Sequence, residues 1–188
     1  AVIDVLKYSK HSLVGGTNTK NFETKVSKMF GKKYGLFVNS GSSAILLGLA
    51  ALNLPKNSEI ITPSLTFSTT ISPILQLGLI PKLVDVKIDT LNIDISKIKK
   101  AISKKTKAVL IPNLMGNIPN WNKIKNLLKN KGIYIIEDSA DTIGYSINKK
   151  NTGDITDITT TSFYASHIIT CGGIGGMVCT NNKKIFEK

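Results

Sequence analysis

Residues 107–138 read "KAVLIPNLMGNIPNWNKIKNLLKNKGIYIIED". Two short apolar runs, "KAVLIP" (107–112) and "GIYIIED" (132–138), flank a segment from Asn120 to Asn130 whose apolar residues recur at helical spacing. Neither run alternates apolar with polar residues, so each is expected to be covered on both faces, as strands of a parallel sheet are. A strand, a helix and a second strand within about 30 residues make one crossover unit.

Working outward, the unit repeats. Toward the N-terminus lie the strand candidates "YGLFV" (34–38), "EIITP" (59–63) and "PKLVDV" (81–86). Between them stand helical patterns: "SGSSAILLGLAAL", capped by Ser40 or Ser42 and running to about Leu52, then Ser68 to Leu77, and "DISKIKKAI" (94–102) with Asp94 at its start. The class is therefore α/β, with helices on both faces of a mainly parallel sheet. Beyond residue 150 two strand-like runs, "DITDITTTSFYAS" and "GGIGGMVCT", are joined by a glycine-rich turn and are expected on the far side of the same sheet. There is no internal repeat and no linker, and 188 residues with 41% hydrophobic content suit one domain.

Ligands of such sheets bind beyond the carboxyl ends of the strands. The loops there are "NSGSSA", "TPSLTF", "PNLMGN", "EDSAD" and "SFYASH". In the first, Gly41 lets backbone approach a ligand, and Ser42 and Ser43 put hydroxyl and N–H groups at a helix N-terminus; this suits phosphate, and equally an ordinary helix cap. Asp138 closes a buried strand and needs a partner, which a loop N–H or a protonated ring nitrogen can supply. Phe67 is either a core residue or a face for a ring to lie on. His167 is one of two histidines; the other, His11, has no motif around it. A lone histidine serves as a hydrogen-bonded structural residue or as a base.

Composition narrows the field. All 25 basic residues are lysine, against 12 acidic residues, giving a net charge of +13. The lysines are spread along helices and loops, as in "KIKK" and "KIKNLLKNK", without the clustered Arg, Lys and aromatics of a nucleic-acid face, so no nucleic-acid partner is expected. Cys171 and Cys179 make neither a disulfide framework nor a metal site. No signal peptide opens the chain and no apolar run approaches the ~18 residues of a membrane span, so the expected compartment is the cytoplasm.

The order "NSGSSA", "TPSLTFSTT", "PKLVDV", "IIEDSAD", "GDI" and "SFYASH" resembles the DegT/DnrJ/EryC1/StrS aminotransferase family of fold-type I pyridoxal-phosphate enzymes, which act on nucleotide-linked sugars. The resemblance runs from about Phe22 to the C-terminus. It implies a three-layer α/β/α fold like that of aspartate aminotransferase, with residues 1–188 forming the N-terminal part and the cofactor-binding large domain, and with a small domain lying beyond this chain. The start at Ala1 and the stop at "NNKKIFEK" fit a piece of a longer protein.

Within the resemblance, serine and phenylalanine precede the Schiff-base lysine at the spacing S-F-x-x-x-K. Counted from Ser162 and Phe163, the lysine position is His167. That exchange marks the branch of sugar 3-dehydratases acting on GDP- and CDP-linked 4-keto-6-deoxyhexoses, and Asp141, where aminotransferases commonly carry glutamine, points the same way. Imidazole cannot condense with the cofactor aldehyde, so the cofactor is expected as pyridoxamine 5'-phosphate, in exchange with pyridoxal 5'-phosphate and held without a covalent link. The resemblance gives Gly41, Ser42, Ser43 and Ser162 to the phosphate, Phe67 to ring stacking, Asp138 to the pyridinium, Asp141 to the cofactor hydroxyl or the substrate, and the base role to His167. It also implies a homodimer and a role in deoxysugar and lipopolysaccharide O-antigen synthesis. Cofactor renewal falls to glutamate or to an iron–sulfur reductase. Two departures stand out: "IITCGGIGG" lacks the glutamate of the family's "ITxxEGG" and is one residue longer, and the chain has no arginine to clamp a diphosphate. The alternatives are a nucleotide-sugar aminotransferase, disfavoured because no lysine lies between Asn151 and Asn182, and a non-catalytic cofactor-binding relative.

Overall fold

The structure is a computed structural model that describes residues 2–9, 15–147 and 150–188. His11 lies outside the described residues. Two helices, α1 (Val2–Tyr8) and α2 (Thr17–Met29), precede β1 (Tyr34–Val38). Then α3 (Gly41–Ala50), β2 (Glu59–Pro63), α4 (Ser68–Gln76), β3 (Ile80–Val84), α5 (Ile95–Ala101), β4 (Thr106–Pro112), α6 (Trp121–Leu128) and β5 (Tyr134–Asp138) alternate as expected. A short hairpin of β6 (Ser146–Ile147) and β7 (Lys150–Asn151) leads to β8 (Ile158–Ser162), β9 (Gly176–Thr180) and α7 (Lys183–Phe186). Side chains of Ser40, Asp94 and Asn120 cap α3, α5 and α6 by accepting from the first-turn N–H groups of Ser43, Ser96 and Lys123, which fixes where each helix begins.

The seven-stranded sheet has the order β1-β9-β8-β5-β4-β2-β3. Strand β9 runs antiparallel to both β1 and β8, whereas β8, β5, β4, β2 and β3 pair in parallel. The last two strands therefore lie inside the sheet, not on its far side. The reason is that β9 turns back along β8 and fills the place between β8 and β1, which gives both of its edges a ladder.

Period-two alternation splits the core in two. Ile60, Ala108, Leu110, Ile136 and Ile158 face α3 and α4, where Ile45, Leu49 and Ile74 meet them. Ile61, Val109, Ile111 and Ile135 face α5 and α6, against Ile98, Trp121, Ile124 and Leu128. Each fully buried Ile or Leu contributes about 1.5–3 kcal/mol, so the central strands are anchored from both sides. Helix α2 adds a third cluster on the α5/α6 side, where Val26 and Phe30 pack on Met177, Cys179 and Phe163.

Candidate active site

Strand β5 ends in two neighbouring acids, and the pleat sends them to opposite faces. Glu137 is fully buried on the α6 side. Its carboxylate accepts from Asn113 Nδ2 (2.7 Å), Ser139 Oγ (2.8 Å) and Thr159 Oγ1 (3.0 Å), while Trp121 Nε1 donates to Asn113 Oδ1 at 3.1 Å. Lys32, 3% exposed, belongs to the same interior; burial pushes its ammonium down to about 8 against the pull of Glu137 and Asp157, and Nζ donates to the Thr156 carbonyl.

Asp138 faces the other way, onto a cavity of about 970 Å³ beyond the carboxyl ends of β2, β4, β5 and β8. It is 7% exposed and, among the described residues, accepts from Thr70 Oγ1 (3.3 Å) and the Ala140 N–H (3.2 Å). Burial pushes its carboxyl up to about 6, with Asp141 and Glu137 adding to the rise. Among the described residues no cation offsets the loss of water, so the site favours a ligand that brings a positive or protonated nitrogen to this carboxylate.

The start of α3 forms one wall. Ser40 Oγ accepts from Ser43 N (3.1 Å) and donates to Ser43 Oγ, so Ser43 is engaged in the cap and does not line the cavity, whereas Gly41 and Ser42 do. The N–H groups of Gly41 and Ser42 have no intrahelical acceptor, as in any first turn, and the helix dipole favours an anion there. A Cβ on Gly41 would lie 2.6 Å from Ser162 Cβ, and one on Gly176 would collide with the Ser40 carbonyl, so glycine at both positions lets α3 close onto the ends of β8 and β9. Ser162 lines the cavity beside this turn and its Oγ accepts from Tyr164 N at 3.3 Å.

Phe67 sits at the mouth, 69% exposed, just before α4. It is therefore not a core residue. Thr66 Oγ1, also in the wall, is buried without a hydrogen-bond partner. Opposite, the loop after β8 presents His167, whose backbone N–H donates to the Tyr164 carbonyl at 2.9 Å and whose ring meets Tyr164 edge-on at 6.3 Å between centroids. His167 Nδ1 lies 3.5 Å from Asp141 Oδ1. Phe163 anchors this loop: it is 1% exposed and packs on Phe22.

The structure thus brings seven of the eight expected residues to the lining of one cavity: Gly41, Ser42, Phe67, Asp138, Asp141, Ser162 and His167. Sequence reading missed Thr70, whose bond to Asp138 spans 68 residues, and Asn113, which ties the loops after β4 and β5 together through Glu137, Ser139 and Thr142. The only local hint was that "PNLMGN" follows a strand end. Among the described residues lining the cavity there is no lysine. Also among the described residues, no helix is long and apolar enough to cross a membrane.

The arrangement can hold a flat aromatic ring with an anionic tail: Asp138 at a ring nitrogen, Phe67 at its face, and the α3 turn with Ser162 at the tail. The chain is 40% identical over 179 residues to the GDP-4-keto-6-deoxy-D-mannose 3-dehydratase of Escherichia coli O55:H7, covering 92% of this chain and 46% of that protein. It is 36% identical over 181 residues to the dTDP-4-dehydro-2,6-dideoxy-D-glucose 3-dehydratase of Saccharopolyspora spinosa, covering 92% of this chain and 39% of the relative. A solved structure, E. coli GDP-4-keto-6-deoxy-D-mannose-3-dehydratase with bound hydrated PLP, superposes with a TM-score of 0.91 at 38% identity, over 99% of this chain and 49% of the other. The chain spans less than half the length of these curated relatives. The model of the DegT/DnrJ/EryC1/StrS aminotransferase family matches residues 1–188, and the chain belongs to that family.

Proposed function

We propose that this chain forms the cofactor-binding part of a pyridoxamine-phosphate-dependent 3-dehydratase, which removes the C3 hydroxyl of a nucleotide-linked 4-keto-6-deoxyhexose. The observation that carries the reading is His167, on the loop that closes the cavity, in a wall that holds no lysine among its described residues. The 3-dehydratase relatives, one GDP-linked and one dTDP-linked by name, support the reaction class and leave the nucleotide open.

The residues fit the group. Asp138 is a desolvated carboxylate without a cation, the partner that a protonated pyridine nitrogen requires. Phe67 offers an exposed ring for stacking, and Gly41, Ser42 and Ser162 stand where a phosphate would meet a helix N-terminus. Ser43 supports that turn from behind through its cap with Ser40. The cofactor, when bound, supplies an amine for the sugar ketone and an electron sink for the charge that develops. His167 contributes what the sink cannot: a nitrogen that takes a proton and returns it to the departing hydroxyl as water forms. An amine side chain at this position would instead tie the cofactor to the protein.

Further parts of the reading follow from the family: a C-terminal small domain completes the protein, two copies pair as a homodimer, glutamate renews the amine form of the cofactor, and the enzyme works in the cytoplasm. The test is incubation of the intact protein with pyridoxamine phosphate and a nucleotide-linked 4-keto-6-deoxyhexose, followed by mass spectrometry with and without glutamate. Loss of the C3 hydroxyl, sustained only with glutamate, is expected. A 4-amino sugar with its C3 hydroxyl retained would replace this reading with that of an aminotransferase.

A further inference from the structure

Asp141 stands on the loop after β5, and His167 on the loop after β8, 26 positions on in the sequence. Their separation of 3.5 Å is a result of the fold, and both arms of it are fixed. One oxygen of Asp141, Oδ2, accepts from the Met115 N–H at 2.8 Å, which leaves Oδ1 free of that bond and 3.5 Å from His167 Nδ1. Met115 adopts a left-handed backbone (φ 52°) in the 3-10 turn Leu114–Gly116, a conformation that costs a non-glycine residue about 1 kcal/mol and turns this N–H toward Asp141. Asn113, one residue before the turn, is held by Glu137, Ser139 and Thr142 and donates its own N–H to the Asp138 carbonyl. On the other arm, His167 N–H closes a turn onto Tyr164. The titratable groups lining this cavity, among the described residues, are Asp138, Asp141, Tyr164 and His167, so Asp141 is the one charge at ion-pair distance from the ring.

We infer that Asp141 is the positioning residue for His167, holding Nδ1–H so that Nε2 carries the lone pair that takes the substrate-side proton. Asp141 thereby acts on the imidazole and not on the cofactor hydroxyl. The inference deepens the proposed dehydratase reading and rests on it for its kinetic consequence. When Nε2 takes a proton the ring becomes a cation beside the Asp141 carboxylate, and that proton then passes to the hydroxyl that leaves as water.

The test uses the intact protein labelled with 15N-histidine, with a His167→Gln variant to assign the ring signals of that residue. In the neutral ring of His167 the proton is expected on Nδ1. Asp141→Asn keeps an oxygen for the Met115 N–H but turns an amide N–H toward Nδ1, so the proton should move to Nε2. That variant should lower kcat on the order of 10- to 100-fold with KM for the sugar changed less than about twofold. Asp141→Glu should restore the Nδ1–H form and recover part of kcat. A wild-type ring with its proton on Nε2, or a ring unchanged by Asp141→Asn, would overturn the inference. The spectrum needs no turnover, so it decides the pairing even if the sugar is not dehydrated; absent dehydration in the wild type counts against the proposed function alone.

Discussion

Glu137 and Asp138 are chemically alike, adjacent on one strand and both buried, yet the two faces of the sheet treat them differently. Glu137 is surrounded by donors from Asn113, Ser139, Thr156 and Thr159, with the Lys32 ammonium in the same interior. Among the described residues, Asp138 has two bonds of 3.2–3.3 Å and no cation. A satisfied buried acid holds structure together; an under-satisfied one beside a cavity is held ready for a ligand. The lesson is that burial alone does not identify a site. What distinguishes the two is how much of the carboxylate's demand the protein itself meets.

The contrast can be broken most severely at Glu137. Replacing it with alanine strands several buried donors and the Lys32 charge, and should cost about 3–5 kcal/mol in urea unfolding. A loss below about 1 kcal/mol would mean that the network is ornamental to stability.

At Asp138 the effect should take a different form, because here the protein carries the cost. Its folded-state carboxyl titrates near 6 against an ordinary 3.8, so between those values the folded state binds more protons than the unfolded one. Stability without cofactor is therefore expected to fall as pH rises through this window, by up to about 3 kcal/mol. Unfolding measured from pH 4 to 7 should show Asp138→Asn gaining on the wild type by that order, and saturating pyridoxamine phosphate should narrow the difference. Parallel pH profiles for the two proteins would show that Asp138 is better paired than its contacts indicate.

The smallest effect sharpens the contrast from the cavity side. Gly41→Ala places a methyl against Ser162 and should cost about 1–3 kcal/mol in stability by forcing α3 away from β8. Phosphate affinity should weaken with it. Unchanged stability would show that the turn gives way easily.

Much of this arrangement was legible in the sequence, for identifiable reasons. Continuous Ile and Val runs gave the parallel strands, and Ser40, Asp94 and Asn120 gave the helix starts. The loops at strand ends, with His167 counted from Ser162 and Phe163, gave the cavity. Helices α1 and α2 lie outside that reading: the apolar residues of α1 (Val2, Ile3, Val5 and Leu6) span barely two turns and bury nothing, and α2 buries only Val26 and Ser27. The place of β9 between β1 and β8 depends on pairing across the whole chain, which local pattern does not encode. Nothing in "GKKYG" separates the buried Lys32 from its exposed neighbour Lys33; the difference arises only when β9 and the Glu137 network assemble around it.

The reversed strand has a consequence for how this architecture could be retuned. Because Ser162 pairs with Gly176, the segment carrying His167 leaves and re-enters the sheet at neighbouring points, like the handle of a cup. Lengthening such a handle costs little free energy, since closure entropy grows only with the logarithm of its length. Insertions and exchanges there can alter the reach and identity of the side chain at position 167 while every strand keeps its register. A chain built this way can swap an amine for an imidazole, and so one chemistry for another, without having to find a new fold.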